Sequence, residues 1–367
     1  MKPTEALDLQ AYFKTKCQEN NWKTIIRSHI GLSIGASYIY KEVADRTKNK
    51  EDQARIEQYE KVIDVYMNDI VRAGTSADCF FVREEMSDLI VFASSKLDNT
   101  DLFDPSLAPV DKGFAYFEKP LEVIDINNKK LLINLFLWEN IYEDGKIQTT
   151  ISCWNDASRT PDEYAVMVKE SEERVNPDIL TMHGRFHWIK SQTIMGGELI
   201  GGELIEPSQR ELDNLKNTKL KKDENDEWIP YSDADWEEFM SENYRNSTNI
   251  KRLFHTFWLI MSQTITEKAK DSGDRAQRRR LEKANVPSEV IIVQFRKRRY
   301  ASEDKSEEQQ KVDWSHRWIV GGHWRWQPYK DPKSGGEIKK RIWISPYVKG
   351  PEDKPLVAKS KVFVLAK

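Results

Sequence analysis

Apolar residues recur at three- and four-residue intervals through roughly the first hundred positions and at two-residue intervals beyond them, so the chain reads as helical first and stranded second. Leu7 to Asn20 is a short amphipathic stretch. Residues 22–47 place Ile25, Ile26, His29, Ile30, Ser33, Ile34, Ser37 and Tyr38 at helical spacing, and 51–73 repeat the pattern with Ile56, Tyr59, Val62, Ile63, Tyr66, Met67 and Ile70, closed by Gly74. A shorter helix is predicted over 83–97. Gly31, Ser33, Gly35, Ala36 and Ser37 are small enough to let a neighbouring helix approach, which makes this stripe bundle core before it is a ligand groove.

Residues 98–110, with Asp104-Pro105 and Ala108-Pro109, form a linker, after which the period falls to two. Strands are predicted over 113–117, 121–124, 131–138 and 147–154, with turns at Asn127-Asn128 and Glu143-Asp144-Gly145. A helix over 161–175 and a strand over 181–194 follow. Gly196-Gly197-Glu198-Leu199-Ile200 is repeated at once as residues 201–205; two copies of so short a unit make a duplicated mobile loop and not a solenoid. Residues 216–226 are charged and exposed. Helical spacing returns over 236–244 and 249–270, the second with Leu253, Phe254, Phe257, Trp258, Met261 and Ile265 on one face, and Asp271 to Asp274 break it. Residues 275–283 form a short basic helix capped by Asp274. Strands over 290–299, 314–327, 338–345 and 357–365, with an acidic loop over 303–308, complete a C-terminal sheet.

The expected fold class is α+β: a helical N-terminal region (1–97), a central antiparallel β-rich region (98–210), a helical region ending in the basic helix (211–285), and a C-terminal β module with a basic, aromatic surface (286–367). The two sheets can also join into one. At 367 residues with 39% hydrophobic and 11% aromatic content, the chain can bury two or three cores. Its most apolar windows, 131–138 and 254–261, are too short to cross a bilayer, and Met1 to Glu5 lacks the apolar core of a signal peptide, so the expected location is the cytoplasm. Cys17, Cys79 and Cys153 are scattered and odd in number, which predicts reduced buried thiols.

The net charge of −3 conceals a division along the chain. From Lys251 onward there are 27 Lys and Arg against 14 Asp and Glu, a balance of +13, set against −16 for the rest. This asymmetry describes a basic module that meets an anion, carried on an acidic body; mutual neutralisation across an internal interface is the alternative.

The densest chemistry lies between Trp314 and Lys349, with five of the twelve tryptophans and two of the six histidines. As one regular strand, 314–327 puts Trp314, His316, Trp318, Val320, Trp324 and Trp326 on one face and Arg317, His323, Arg325 and Gln327 on the other. The aromatic face is simplest as core. The other face, opposite a return strand supplying Lys339 and Arg341 or Lys340, suits phosphate, which guanidinium groups grip bidentately. Gly321-Gly322 could seat a bulge that changes which side chains share a face.

Nucleic acid, DNA or RNA, is the partner these groups fit best. Arg275, Arg278, Arg279, Arg280, Arg296, Lys297, Arg298, Arg299, Arg317, Arg325 and Arg341 are placed to neutralise a backbone, and Tyr329 or an exposed Trp to stack on unpaired bases. The bland account is a solvated surface with Arg278 and Glu282 as an i,i+4 pair. A metal-independent RNase is the competing enzyme class, with His323 as general base or acid and Arg317 or Arg325 stabilising the developing charge; His316 could serve as second proton carrier only through a bulge. A protein-interaction scaffold is the third reading, with a protein partner or homo-oligomer possible. His183 and His187 are four apart, but the surrounding sequence reads as strand and lacks a third ligand, so no metal is expected. His29 and His255, on apolar helices, read as core histidines with their hydrogen bonds satisfied. No phosphate-binding loop, dinucleotide fingerprint or nucleophile elbow is present, and no cofactor is expected.

The segment running from Trp314-Ser315-His316-Arg317-Trp318 through Gly322-His323-Trp324-Arg325 to Tyr347-Val348-Lys349-Gly350-Pro351-Glu352-Asp353-Lys354-Pro355-Leu356 resembles a family of uncharacterised bacterial proteins, chiefly actinobacterial and often carried in mobile elements. The likeness continues upstream through Phe257-Trp258-Leu259, Arg278-Arg279-Arg280 and Val290 to Arg298, covers the last third well, and touches 113–156 weakly. It brings no activity with it. Where relatives have Arg before Gly-His-Trp-Arg this chain has Gly321, which weakens a phosphate clamp at that point. A mobile-element setting implies a regulatory, plasmid or phage-defence role by association.

Overall fold

The computed structural model describes residues 1–20, 22–24, 26–27, 50–98, 100–124, 130–159, 185–200, 220–222, 228–230, 248–296, 318–320, 322–330, 336–345 and 347–349. In chain order the elements are α1 (Glu5–Gln18), α2 (Lys50–Ser76), β1 (Asp78–Val82), α3 (Glu84–Ser94), a 3-10 turn (Pro105–Leu107), β2 (Lys112–Ile124), β3 (Lys130–Glu143), β4 (Lys146–Asp156), β5 (Phe186–Met195), β6 (Leu220–Lys222) and β7 (Trp228–Pro230). There follow α4 (residues 248–261), β8 (Thr266–Ser272), α5 (Arg275–Lys283), β9 (Glu289–Phe295), β10 (Trp318–Val320), β11 (His323–Lys330), β12 (Glu337–Ile344) and β13 (Tyr347–Lys349). The expected helices over 161–175 and 236–244 and strand over 357–365 lie outside the described residues, as does most of 22–47.

The fold is mixed α/β, built on a seven-stranded sheet in the order β5-β4-β3-β2-β1-β9-β8. The expected antiparallel sheet is present as β2 to β5, but the sheet as a whole is mixed: β1 runs parallel to both β2 and β9. Two sequence expectations change with it. Asp78–Val82, unassigned between helices, is a central strand, and its alternate residues are buried on both sides: Cys79 and Phe81 toward one core, Phe80 and Val82 toward the other. Residues 266–272, expected to prolong a helix, form edge strand β8 paired with β9. Helix α4 stops where Gln263 turns back to donate to the Leu259 carbonyl at 3.0 Å and the Thr266 hydroxyl donates to the Ile260 carbonyl at 2.6 Å. β9, expected in a C-terminal sheet, instead joins β1, so spans 1–97 and 286–367 share one sheet.

Each face of the sheet carries a core, which is why strands such as β3 are almost continuously apolar. One core packs α1, α2 and α5 against Phe114, Tyr116, Leu135 and Leu137; the other packs α3, α4 and the β11–β12 hairpin against Phe117, Phe136 and Trp138. On the first face Phe13 meets Trp154 edge-on at 5.0 Å and Trp22 at 5.6 Å, and a Cβ on Gly74 would come within 2.5 Å of the Phe13 ring. The Asp144-Gly145 turn between β3 and β4 has φ of 48° and 72°, the left-handed geometry that an Asp-Gly hairpin accommodates. In β2 the register jumps between Tyr116 and Leu121, around Pro120, which has no amide hydrogen for the ladder.

The first face also buries a charge. The Asp156 carboxylate is fully buried and takes both arms of Arg185 at 2.8 Å, the Tyr116 hydroxyl at 2.6 Å and the Ser158 hydroxyl at 2.7 Å. Burial alone would raise its pKa, but these donors together hold it below the usual carboxylate range. Cys17, Cys79 and Cys153 are buried free thiols, as expected, with burial pushing Cys17 up to about 12.

Candidate functional site

The run 314–327 is not one strand. β10 ends at Val320 and pairs with β13, whereas β11 begins at His323 and pairs with β12, so the Gly321-Gly322 step separates two ladders. The β11–β12 register settles which side chains share a face. Trp324 lies opposite Trp343 and Trp326 opposite Arg341; His323 lies opposite Ile344, Arg325 opposite Ile342 and Gln327 opposite Lys340. Arg341 therefore joins the tryptophan face, and Lys340 joins His323 and Arg325.

The tryptophan face docks on the second core through its base and leaves it at its tip. Trp343 is buried, with Trp324 edge-on at 5.2 Å and Phe92 at 5.9 Å, and Trp324 Nε1 donates to the Ala93 carbonyl at 3.0 Å. Gln263 clamps β12, accepting from the Trp343 amide and donating to the Arg341 carbonyl, both at 3.2 Å. Two residues along the strand, Trp326 is 56% exposed; on the opposite face of the hairpin, with His323 and Arg325, Tyr329 is 43% exposed. Each has a cation over its ring: Arg341 at 5.1 Å from Trp326 and Lys340 at 5.9 Å from Tyr329.

Between the hairpin and the body lies a cleft of about 1150 Å³, walled by residues 100–107, the end of α4 with 262–265, Gly196-Gly197, and 339–344 of β12. Its rim carries Trp326, Tyr329, Lys339 and Lys340, and its wall carries Phe103, Leu259, Ile265 and Trp343. Asp101 and Arg341 form an ion pair across 240 residues of chain. Burial raises the Asp101 pKa and the Arg341 charge opposes that rise. His255, buried beside Phe103 at 5.5 Å, has no partner for Nδ1 among the described residues; burial lowers its pKa to about 4, with Asp104 opposing and Arg341 reinforcing, so it is neutral near pH 7.

The first Gly-Gly-Glu-Leu-Ile copy builds one wall of this cleft. The Gly197 amide donates to the Phe103 carbonyl at 2.9 Å, the Phe103 amide to the Glu198 carbonyl at 2.8 Å, and the Ile200 amide to the Asp101 carbonyl at 2.7 Å. Gly197 holds φ +81°, which a side chain would strain. The Glu198 carboxylate pairs with buried Lys251. Residues 196–200 are thus hydrogen-bonded to 101–103 as part of the cleft wall; the second copy lies outside the described residues.

The basic residues divide into two groups. Arg296 follows β9, and its amide donates at 2.8 Å to the carbonyl of Ile265, a cleft residue, which brings its backbone beside the cleft; His323, Arg325, Tyr329 and Arg341 lie on the hairpin itself. Arg275, Arg278, Arg279 and Arg280 lie on α5, whose Leu281 is buried in the opposite core with α1. From Ser288 beyond the foot of α5 to Arg296 spans the whole of β9, about 26 Å at about 3.3 Å per residue. The expected single basic surface is therefore two. Lys297, Arg298, Arg299, His316 and Arg317 lie outside the described residues, as do His29 and His183. Arg325 donates to the Gln327 side chain at 2.6 Å, and His323 is exposed.

Sequence reasoning misses Asp101, Phe103, Gln263 and Trp343 as parts of one site, since nothing local marks residues that meet only through tertiary packing. Among the described residues no His, Cys, Asp and Glu cluster could hold a metal ion, and no helix is long and apolar enough to cross a membrane. No protein-family model and no curated protein matches the chain.

Proposed function

We propose that this protein binds single-stranded nucleic acid along the β11–β12 hairpin, with an unstacked base laid on Trp326 at the mouth of the cleft. The observation that carries the reading is Trp326 itself, 56% exposed with Arg341 over its ring and Tyr329 elsewhere on the cleft rim, on two strands that hold Arg325, Lys330, Lys339, Lys340 and Arg341 against Glu337 as their one acid. Soluble proteins expose a large indole at a basic cleft rim at a cost in hydration. A stacked base recovers that cost, and every base offers a π-face, so the contact tolerates sequence. Lys339 and Lys340, which line the same cleft, are then the groups placed for the flanking phosphates. We place this activity in the cytoplasm, in a regulatory or phage-defence setting, on the resemblance of residues 314–356.

The test is a binding and cleavage assay on labelled single-stranded RNA, single-stranded DNA and duplex DNA, across a salt series, with and without EDTA. Salt-sensitive binding of intact single strands, weakened by Trp326→Ala and indifferent to His323→Ala, is the expected result. EDTA-resistant RNA cleavage lost in His323→Ala would replace it with the RNase reading, and absence of binding near physiological salt would replace it with a protein scaffold.

A further inference from the structure

One side of α5 holds the helix in place and the other side is left charged. Gln277 donates to the Thr4 carbonyl and the Asp8 carboxylate, both at 2.8 Å, Arg280 reaches Asp8 at 2.6 Å, and Leu281 is fully buried. The Asp274 side chain accepts from the Gln277 amide at 2.8 Å, capping the helix. On the free side, Arg275, Arg278 and Arg279 stand at i, i+3 and i+4 around a concavity of about 580 Å³, closed by Glu282 and the turn over 285–288. Among the described residues none of these three guanidinium groups has a hydrogen-bond or ion-pair partner, and Arg278 and Glu282 do not pair.

Three like charges on adjacent turns repel one another, and among the described residues none of them is held in an ion pair. Three guanidinium groups lining one concave surface suit a phosphate oxyanion, which accepts from several donors at once. We propose that this concavity is a second phosphate-binding site, independent of the hairpin because it lies on the opposite face of the sheet, and that it takes the phosphodiester backbone of a second nucleic-acid segment. One molecule thereby bridges two segments. The bridging rests on the hairpin reading; the phosphate site does not.

The test uses the full chain and oligothymidylate in two measurements: the salt dependence of binding, and retention of a fluorescent strand by protein already held on a bead-bound strand. The variant Arg275→Gln with Arg278→Gln and Arg279→Gln keeps helix-forming, exposed side chains, and circular dichroism verifies that it folds. We expect the wild type to retain the second strand. The triple variant should bind the beads yet lose retention, with its log–log salt slope shallower by about 2, at about 0.7 per phosphate. Unchanged slope and retention in the triple variant would overturn the site, including the case in which self-association brings two hairpins together. A Trp326→Ala protein that binds normally while the triple variant does not would sink the hairpin reading and leave the α5 site standing. Orthophosphate that shifts the Nε–H resonances of these arginines, with no second-strand retention by the wild type, would reduce the site to a small-anion pocket and overturn the bridging.

Discussion

Helix α5 and the β11–β12 hairpin are both short, both basic and both attached to the same sheet, yet they offer different chemistry. On α5, Arg275, Arg278 and Arg279 line a concavity that has no aromatic side chain in its lining. On the hairpin every second residue of β11 from Trp324 to Trp326 is an indole, cations lie over the exposed rings, and a cleft opens alongside. Composition would treat both as basic patches. The difference is that a helix displays one charge stripe, whereas a strand alternates its side chains between two faces, so aromatic and basic residues can be interleaved and then sorted by register.

The shared frame is what the largest predicted effect breaks. Arg185→Ala strips the fully buried Asp156 carboxylate of its bidentate partner, and loss of one half of such a pair costs about 3–5 kcal/mol, read as a lowered urea midpoint. Both surfaces should fail together. The next effect belongs to the cleft side alone. His255 binds its proton with a pKa of about 4 when folded against about 6.5 unfolded, so between those values the unfolded chain holds more protons and stability falls as pH falls. That loss is on the order of 3 kcal/mol from this group, and His255→Phe, beside Phe103, should flatten it in urea titrations between pH 7 and pH 4.

A third change sharpens the contrast without touching stability. Trp326→Ala should reduce single-strand affinity by about 1–3 kcal/mol, roughly 5- to 150-fold, in a fluorescence anisotropy titration, with the salt slope unchanged because no phosphate contact is lost. The smallest effect is confined to the other surface. Asp274→Ala removes the α5 cap and should cost about 1 kcal/mol by chemical denaturation, while leaving hairpin binding intact.

Features that depend on a few neighbouring residues are legible in the sequence. The Asp274 cap, the Asp144-Gly145 turn, the periodicity of α1 and α2, and the reading of His255 as a buried histidine all rest on local propensity or pattern. Strand β1 is not, because Asp-Cys-Phe-Phe-Val is too short to show a period and becomes a strand only by pairing with β2 and β9. The expected helix overruns the end of α4 because Thr266 to Lys270, Thr-Glu-Lys-Ala-Lys, hold a single apolar residue and so carry no period that separates helix from edge strand. Within the site, alternation groups Trp326 with Trp324 correctly by face, but the depth of each along the hairpin depends on where Ala93 and Gln263 stand.

Local sequence sets a population of elements and their chemical endowment: amphipathic helices, apolar strands, an arginine-rich helix and an aromatic, basic hairpin. Those follow from torsional preference and from side-chain spacing within a few residues. It takes the tertiary fold to put the arginines of α5 and those around the cleft on opposite faces of one sheet, and to bring Asp101 to Arg341 across 240 positions of chain. Sidedness in a sheet follows from strand order and register, which are set by contacts between distant segments and by burial on both faces. No local run of residues encodes that order.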